Sequence, residues 1–170
     1  QPPLIEITNS NLDNFCAGTN VTLQVPDFTG DFDYEWQLNG TDFGAGDVAS
    51  IMTNQAGNYT VEVTDVNTCM TETASYTINA VSAPTSVADG PTETCVDFLT
   101  SFTSSSTGSG GFTLNYEWVV NDGSTDILTA TTQDLDFTFP ASGSYTVTLN
   151  TSYPNTEVYA GGGASVCESA

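Results

Sequence analysis

Hydrophobic and polar residues alternate one by one along much of the chain. In residues 21–25, Val21, Leu23 and Val25 fall on one face of an extended strand, and the polar side chains between them fall on the other. The same alternation occurs in residues 34–38, and no stretch has the 3.6-residue period of an amphipathic helix. Clusters of Gly, Asn, Asp and Ser separate these segments, as turns do between strands. The pattern predicts an all-β fold.

Three landmarks occur twice along the chain in the same order. They are a cysteine (Cys16 and Cys95), a Tyr-Glu-Trp triplet (residues 34–36 and 116–118) and a Gly-x-Tyr-Thr-Val run (residues 57–61 and 143–147). Self-similarity at a fixed spacing is the sign of repeated structural units. We therefore predict two homologous domains, residues 1–81 and 82–170, with the boundary near the Pro-containing stretch that follows residue 80.

Each predicted domain contains a tryptophan that is followed by a Gly-x-Tyr motif. In immunoglobulin-like β-sandwiches a large ring on the third strand fills the core, and a tyrosine hydroxyl fixes a corner near a later strand. Trp36 with Tyr59, and Trp118 with Tyr145, fit these roles. The sequence thus predicts two tandem immunoglobulin-like (Ig/PKD-like) β-sandwiches, in which these four residues belong to the cores.

All ionised side chains of this protein are negative, because 21 Asp and Glu residues occur without any Lys, Arg or His. Phosphate backbones and anionic lipid surfaces are bound by Lys and Arg, so nucleic-acid binding and direct membrane binding are excluded. No His or Lys is present to activate a Ser or Thr nucleophile, and the acidic residues are scattered without the pattern of a glycosidase cleft. We therefore expect no enzymatic activity.

Several short motifs resemble the immunoglobulin-like and PKD-like repeats of giant Bacteroidota surface proteins. In the first half they are residues 15–18 (Phe-Cys-Ala-Gly), 21–23, 34–36, 57–61 and 65–69, and in the second half residues 116–118, 121–123 and 143–147. Such repeats occur in type 9 secreted adhesins and gliding-motility adhesins. The resemblance implies an extracellular or cell-surface location and a role as spacer, stalk or binding tip, with neighbouring repeats of the same protein or filament, surface glycans or cell-surface proteins as partners.

The four cysteines allow three pairings, and an even number in a secreted-looking chain favours disulfides. The position two residues after each corner tyrosine is valine, so the inter-sheet disulfide of antibody domains is absent. Our first choice pairs Cys16 with Cys69 and Cys95 with Cys167. The alternative is a Cys16–Cys167 bond between the domains, which leaves Cys69 and Cys95 for neighbouring domains. Zinc is disfavoured because neither His nor a Cys-x-x-Cys motif is present.

Calcium is the ion that this acidic composition favours, because calcium binds oxygen ligands such as carboxylates. The best candidate is the loop that contains Asn121, Asp122 and Asp126, and a second, looser acidic group precedes the first Tyr-Glu-Trp triplet. Neither has the EF-hand spacing, and Asp-Gly pairs are common in ordinary turns. We predict no required cofactor and keep calcium as a possibility at this loop.

The leading functional hypothesis is a non-enzymatic structural or adhesive repeat module of a large surface adhesin or stalk. An alternative is a self-assembling extracellular fibre subunit, because residues 161–163 are all glycine and leave the final strand of the second domain doubtful. A third is a carbohydrate-binding module, for which Phe43, Tyr153 and Tyr159 would form an exposed aromatic platform.

Overall fold

The structure, a computed structural model, describes residues 5–9, 11–161 and 167–169. All regular secondary structure in these residues is β-strand, as the alternation predicted. Within the same ranges no helix occurs that is long and apolar enough to cross a membrane. The described residues divide into two compact units. Unit 1 contains residues up to 81 together with 158–161, and unit 2 contains residues 82–157 together with 167–169.

Unit 1 is a sandwich of two β-sheets. Its strands are β1 (Thr8–Asn9), β2 (Asn14–Cys16), β3 (Val21–Gln24), β4 (Phe32–Leu38), β5 (Thr41–Asp42), β6 (Ser50–Thr53), β7 (Gly57–Asp65) and β8 (Met70–Val81). One sheet has the order β1-β3-β6 and the other the order β2-β8-β7-β4-β5. Strand β8 pairs antiparallel along the whole length of β7, from Asp65 opposite Met70 to Gly57 opposite Ile78. The end of β8 also pairs in parallel with β2, so β8 completes this sheet.

The core of unit 1 forms around Trp36, which is 1% exposed and donates its indole N–H to the carbonyl oxygen of Val48 at 2.8 Å. Tyr59 is fully buried, and its hydroxyl lies 2.7 Å from Thr53 Oγ1 and donates to the carbonyl oxygen of Gln55 at 2.9 Å. Burial raises the pKa of Tyr59, so the hydroxyl remains a neutral donor. These bonds fix the chain between β6 and β7.

Unit 2 repeats this architecture with a shorter last strand. Its strands are β9 (Ala88–Asp89), β10 (Leu99–Ser104), β11 (Asn115–Asn121), β12 (Asp126–Ala130), β13 (Leu135–Thr138), β14 (Thr146–Tyr153) and β15 (Cys167–Glu168). The sheets have the orders β13-β10-β9 and β12-β11-β14-β15. Trp118 is fully buried and donates its indole N–H to the carbonyl oxygens of Thr132 and Gln133, at 3.1 and 3.2 Å.

The corner tyrosine of unit 2 is held less tightly than that of unit 1. Tyr145 is half-buried and donates to the carbonyl oxygen of Ala141, four residues earlier, at 3.1 Å. Its strand register also differs. Trp36 faces Val61, two residues after Tyr59, whereas Trp118 faces Leu149, four residues after Tyr145. The repeated motif therefore forms the same corner in both units. The strand that follows it pairs with the tryptophan strand in a register that differs by two residues between the units.

A short segment from late in the sequence belongs to unit 1. Tyr159 forms a parallel bridge with Phe15 of β2, where the Cys16 N–H donates to the Tyr159 carbonyl oxygen and the Tyr159 N–H donates to the Asn14 carbonyl oxygen, each at 2.8 Å. The adjacent Val158 is fully buried. Residues 158–161 thus extend the outer edge of the five-stranded sheet beyond β2.

The two corner tyrosines provide a matched test of the fold. We expect Tyr59→Phe to lower the free energy of unfolding by about 1–2 kcal/mol, because the buried Thr53 hydroxyl loses its bond to the Tyr59 hydroxyl and the Gln55 carbonyl oxygen loses its donor. Tyr145→Phe loses one partly exposed bond, so we expect about half that effect or less. Urea denaturation followed by tryptophan fluorescence measures both, since each unit contains one Trp. An equal or larger loss for Tyr145→Phe would contradict this account.

Candidate functional site

The two sides of strand β14 in unit 2 are paired to different extents within the described residues. Strand β14 pairs with β11 along seven positions, from Asn121 opposite Thr146 to Asn115 opposite Ser152. On its other side, within the described ranges, β15 pairs only with Ser152 and Tyr153, and one further bond joins the Ser169 N–H to the Thr151 carbonyl oxygen at 2.9 Å. In unit 1 the corresponding strand, β7, is covered by β8 over nine positions.

The backbone groups on the less paired side of β14 include those of Val147 and Leu149. Peptide groups of successive residues in a strand point to opposite sides, and the Thr151 carbonyl points towards β15. The N–H and C=O groups of Val147 and Leu149 therefore point to the same side as β15. Those of Thr148 and Asn150 point towards β11.

A cavity of about 770 Å³ lies beside β14 within unit 2. Its lining includes residues 91–94 on one side and Tyr145 and Val147 on the other, with Phe102 and Phe139 from the core. The counterpart space in unit 1 lies between β2 and the start of β7 and is filled by the end of β8. Among these lining residues, the sequence singled out Tyr145 as a core residue and Val147 as part of the repeated motif, but it did not predict the cavity.

The cysteines are paired differently from our first prediction. Cys16 and Cys167 are bonded to each other, whereas Cys69 and Cys95 are free thiols with exposed side chains. The alternative prediction of a Cys16–Cys167 bond is confirmed, and the Cys16–Cys69 and Cys95–Cys167 pairs are wrong.

The reason for the incorrect prediction is the length of β8. Cys69 lies in the turn that precedes β8, while Cys16 pairs with Val81 at the opposite end of that strand. Strand β8 has 12 residues, and at ~3.3 Å per residue it separates its two ends by well over 30 Å. A disulfide requires Cα atoms within about 7 Å of each other.

The predicted calcium loop is a hydrogen-bonded hairpin turn between β11 and β12. The Asn121 side-chain amide donates to Asp126 Oδ1 at 2.8 Å, and Asp122 Oδ1 accepts from the backbone N–H groups of Ser124 and Thr125, each at 2.9 Å. The Thr125 and Ser124 bonds lower the pKa of Asp122 to about 2. No group of three or more His, Cys, Asp or Glu side chains suited to a metal occurs in the described parts of the chain. These bonds are those of an ordinary Asx turn, and calcium at this loop stays a prediction.

The proposed aromatic platform does not form. Tyr153 is fully buried, contacts Phe112, and accepts the Ser109 N–H at 2.7 Å. Phe43 and Tyr159 are partly buried and pack against the core of unit 1. Phe43 and Tyr159 thus belong to unit 1 and Tyr153 to unit 2, and none of the three rings is fully exposed. The carbohydrate hypothesis therefore loses the residues on which it depended.

The sequence model of the PKD-like domain family matches residues 1–81, and that of the PKD domain family matches residues 81–157. The chain is thus a tandem of two immunoglobulin-like β-sandwich domains of PKD type, as the sequence predicted. Such domains are generally non-catalytic structural modules, and no enzyme family is indicated. PKD domains and disulfides are also typical of extracellular proteins.

A solved structure of titin domains shows the same kind of fold. An I-band fragment of titin is 15% identical with a TM-score of 0.54, over 99% of this chain and 64% of the titin fragment. Three N-terminal domains of the bacteriophage RB49 Highly Immunogenic Outer Capsid protein (Hoc) are 20% identical with a TM-score of 0.46, over 85% of this chain and 53% of that one. The chain thus spans less than two thirds of either fragment. A search of curated proteins found no match.

Proposed function

We propose that this chain is a non-enzymatic structural module of a large cell-surface adhesin or stalk, of the kind found in type 9 secreted and gliding adhesins of Bacteroidota. The observation that carries the proposal is the tandem of two sandwiches, each with its own core around a buried tryptophan. Its partners would be neighbouring repeats and, at the cell surface, glycans or proteins. The uniformly negative surface keeps such a module soluble and away from nucleic acids and anionic lipids.

The position of the disulfide in the chain supports a load-bearing role. Cys16 lies near the start of the sequence and Cys167 near its end, so their bond encloses about 150 residues in a covalent loop. A pulling force that enters before Cys16 and leaves after Cys167 passes through the S–S bond. The strands between Cys16 and Cys167 then lie outside the line of force. A stalk repeat built in this way resists extension without needing strong strand pairing.

Single-molecule stretching through the two termini tests this role. The oxidised chain should show no unfolding step from either unit, because the disulfide limits extension to the few residues outside the loop. After reduction, two steps should appear with a combined extension of roughly 500 Å, from about 150 residues at ~3.5 Å each. The Cys69→Ser/Cys95→Ser double variant is the matched control and should behave like the wild type. Full unfolding of the oxidised chain would contradict the proposal.

The free thiols favour a second candidate function, a self-assembling extracellular fibre. Cys95 is the repeat counterpart of Cys16, and both begin the same turn. The Thr19 N–H donates to the Cys16 carbonyl oxygen at 2.9 Å, and the Phe98 N–H donates to that of Cys95 at 3.3 Å. Cys69 and Cys167 each follow the long strand that faces the tryptophan strand, β7 or β14. The free cysteines Cys95 and Cys69 thus correspond in the repeat to the bonded cysteines Cys16 and Cys167.

Both free thiols also lie beside exposed apolar side chains. Val66 and Met70 flank Cys69 and are 41% and 42% exposed, and Val96 and Phe98 near Cys95 are 43% and 67% exposed. In a fibre, Cys95 of one copy would bond Cys69 of the next and repeat the Cys16–Cys167 pairing between copies. Two thiols would lose two protons and two electrons, which oxidised glutathione would accept as it is reduced to two glutathione thiols.

Oxidation of the purified chain with glutathione disulfide tests the fibre. Non-reducing electrophoresis should show a ladder of multimers that collapses to monomer on reduction. Cys69→Ser and Cys95→Ser should each form dimers at most, because one thiol per copy cannot extend a chain. If either single variant still forms the ladder, or the wild type remains monomeric, the fibre hypothesis is wrong.

A further inference from the structure

We propose that residues 158–161 form a strap that closes the outer edge of β2 in unit 1, and that the Cys16–Cys167 bond holds this strap closed, so that reduction of the bond opens the edge. The strap lies in the chain between β14 and β15, which are strands of unit 2, although its own residues belong to unit 1. The inference rests on the proposed structural role, because it names the device by which a segment of the following repeat completes the one before it.

Strand β2 has two hydrogen-bonded sides, and the strap covers one of them. On the inner side β2 pairs in parallel with β8, and just beyond it the Ala17 N–H donates to the Val81 carbonyl oxygen at 2.9 Å. On the outer side the Cys16 N–H donates to the Tyr159 carbonyl oxygen and the Tyr159 N–H donates to the Asn14 carbonyl oxygen, each at 2.8 Å. Removal of the strap would leave these two β2 groups as an unpaired strand edge.

The strap also contributes side chains to unit 1. Val158 is fully buried, and Tyr159 packs against the core cluster that contains the fully buried Phe15. The PKD-like family model ends at residue 81, so the part of the chain that it matches does not include this element. The strap is therefore a packed addition to unit 1 that is supplied from far along the sequence.

The disulfide joins the strap to the edge that the strap covers. Tyr159 precedes Cys167 by eight residues, and Cys167 is bonded to the residue whose N–H donates to Tyr159. Without the bond, the covalent path from Cys16 to Tyr159 runs through 143 residues. Effective concentration falls roughly as the −3/2 power of tether length, so the bond raises the concentration of the strap at the edge by up to roughly 70-fold.

The other end of the strap is held by hydrogen bonds that do not depend on the disulfide. Glu157, directly before the strap, accepts the Thr113 N–H at 2.8 Å and donates its own N–H to the Pro154 carbonyl oxygen at 2.9 Å. Reduction therefore frees only the end of the strap that leads to Cys167. We expect the strap to detach from β2 while each unit keeps its core around its buried tryptophan.

Amide hydrogen exchange distinguishes the closed edge from the open one. The amides of residues 16 and 17 are adjacent in sequence, but the first donates to the strap and the second to β8. Dithiothreitol supplies two electrons and two protons to convert the disulfide into two thiols, and it becomes a cyclic disulfide. In the reduced chain the residue 16 amide should exchange at least about tenfold faster than in the oxidised chain, and the Ala17 amide less than about threefold faster.

Two variants at Tyr159 test the strap in the oxidised chain. Tyr159→Pro removes the N–H that donates to Asn14, so the residue 16 amide should exchange at least about tenfold faster although the disulfide is intact. Tyr159→Phe keeps the ring and both backbone groups and should match the wild type. The Cys16→Ser/Cys167→Ser double variant should behave like the reduced chain, with or without dithiothreitol.

The outcomes separate this inference from the proposed function. Selective acceleration of the residue 16 amide, both by reduction and by Tyr159→Pro, supports the strap. The inference is overturned if either change leaves this amide as slow as in the oxidised wild type, or if the Ala17 amide accelerates equally. None of these results alters the stretching behaviour of the oxidised chain, because the Cys16–Cys167 bond limits extension whether or not the strap is bound. Failure of the strap and failure of the structural role are therefore distinguishable.

Discussion

The absence of any positively charged side chain constrains the whole structure. Carboxylates have no Lys, Arg or His to pair with, so they lie on exposed faces and accept hydrogen bonds from the backbone instead. Asp47 accepts the Tyr34 N–H at 2.7 Å, Asp134 accepts the Ser104 N–H at 2.9 Å, and Asp122 holds the turn after β11. The cores contain only apolar side chains and a few hydroxyls with partners, and the described residues include no buried side-chain polar atom without one. Stability therefore comes from burial, hydrogen bonds, including those that carboxylates accept, and one disulfide.

Strand β8 organises the second sheet of unit 1. In unit 1, β8 covers β7 along its length and meets β2, and the Tyr76 hydroxyl on β8 donates to Asp13. That carboxylate raises the pKa of Tyr76 to about 12, so the contact persists across the physiological range. In unit 2 the strand in the position of β8 has two residues.

Much of the fold was predictable because it depends on local alternation and on a repeated motif. Trp36, Tyr59 and Trp118 are buried, and the Gly-x-Tyr motifs form corners in both units. The disulfide could not be chosen from sequence because its geometry depends on the length of β8, which alternation alone does not fix. The cavity was unpredictable for a similar reason, since its lining residues come from distant loops and strands. The hydrogen bonds of Asn121, Asp122 and Asp126 show the turn that the Asp-Gly pair predicted, whereas calcium binding at this loop stays a prediction.

The salt dependence of stability tests the central constraint most directly. Urea unfolding at pH 7 would be measured in about 0.01 M and about 0.3 M sodium chloride, between which the Debye length falls from ~30 Å to well under 10 Å. If all interactions between ionised side chains are repulsive, the free energy of unfolding should rise with salt, because screening relieves repulsion that is stronger in the compact state. A free energy of unfolding that stays constant or falls with added salt would contradict the account.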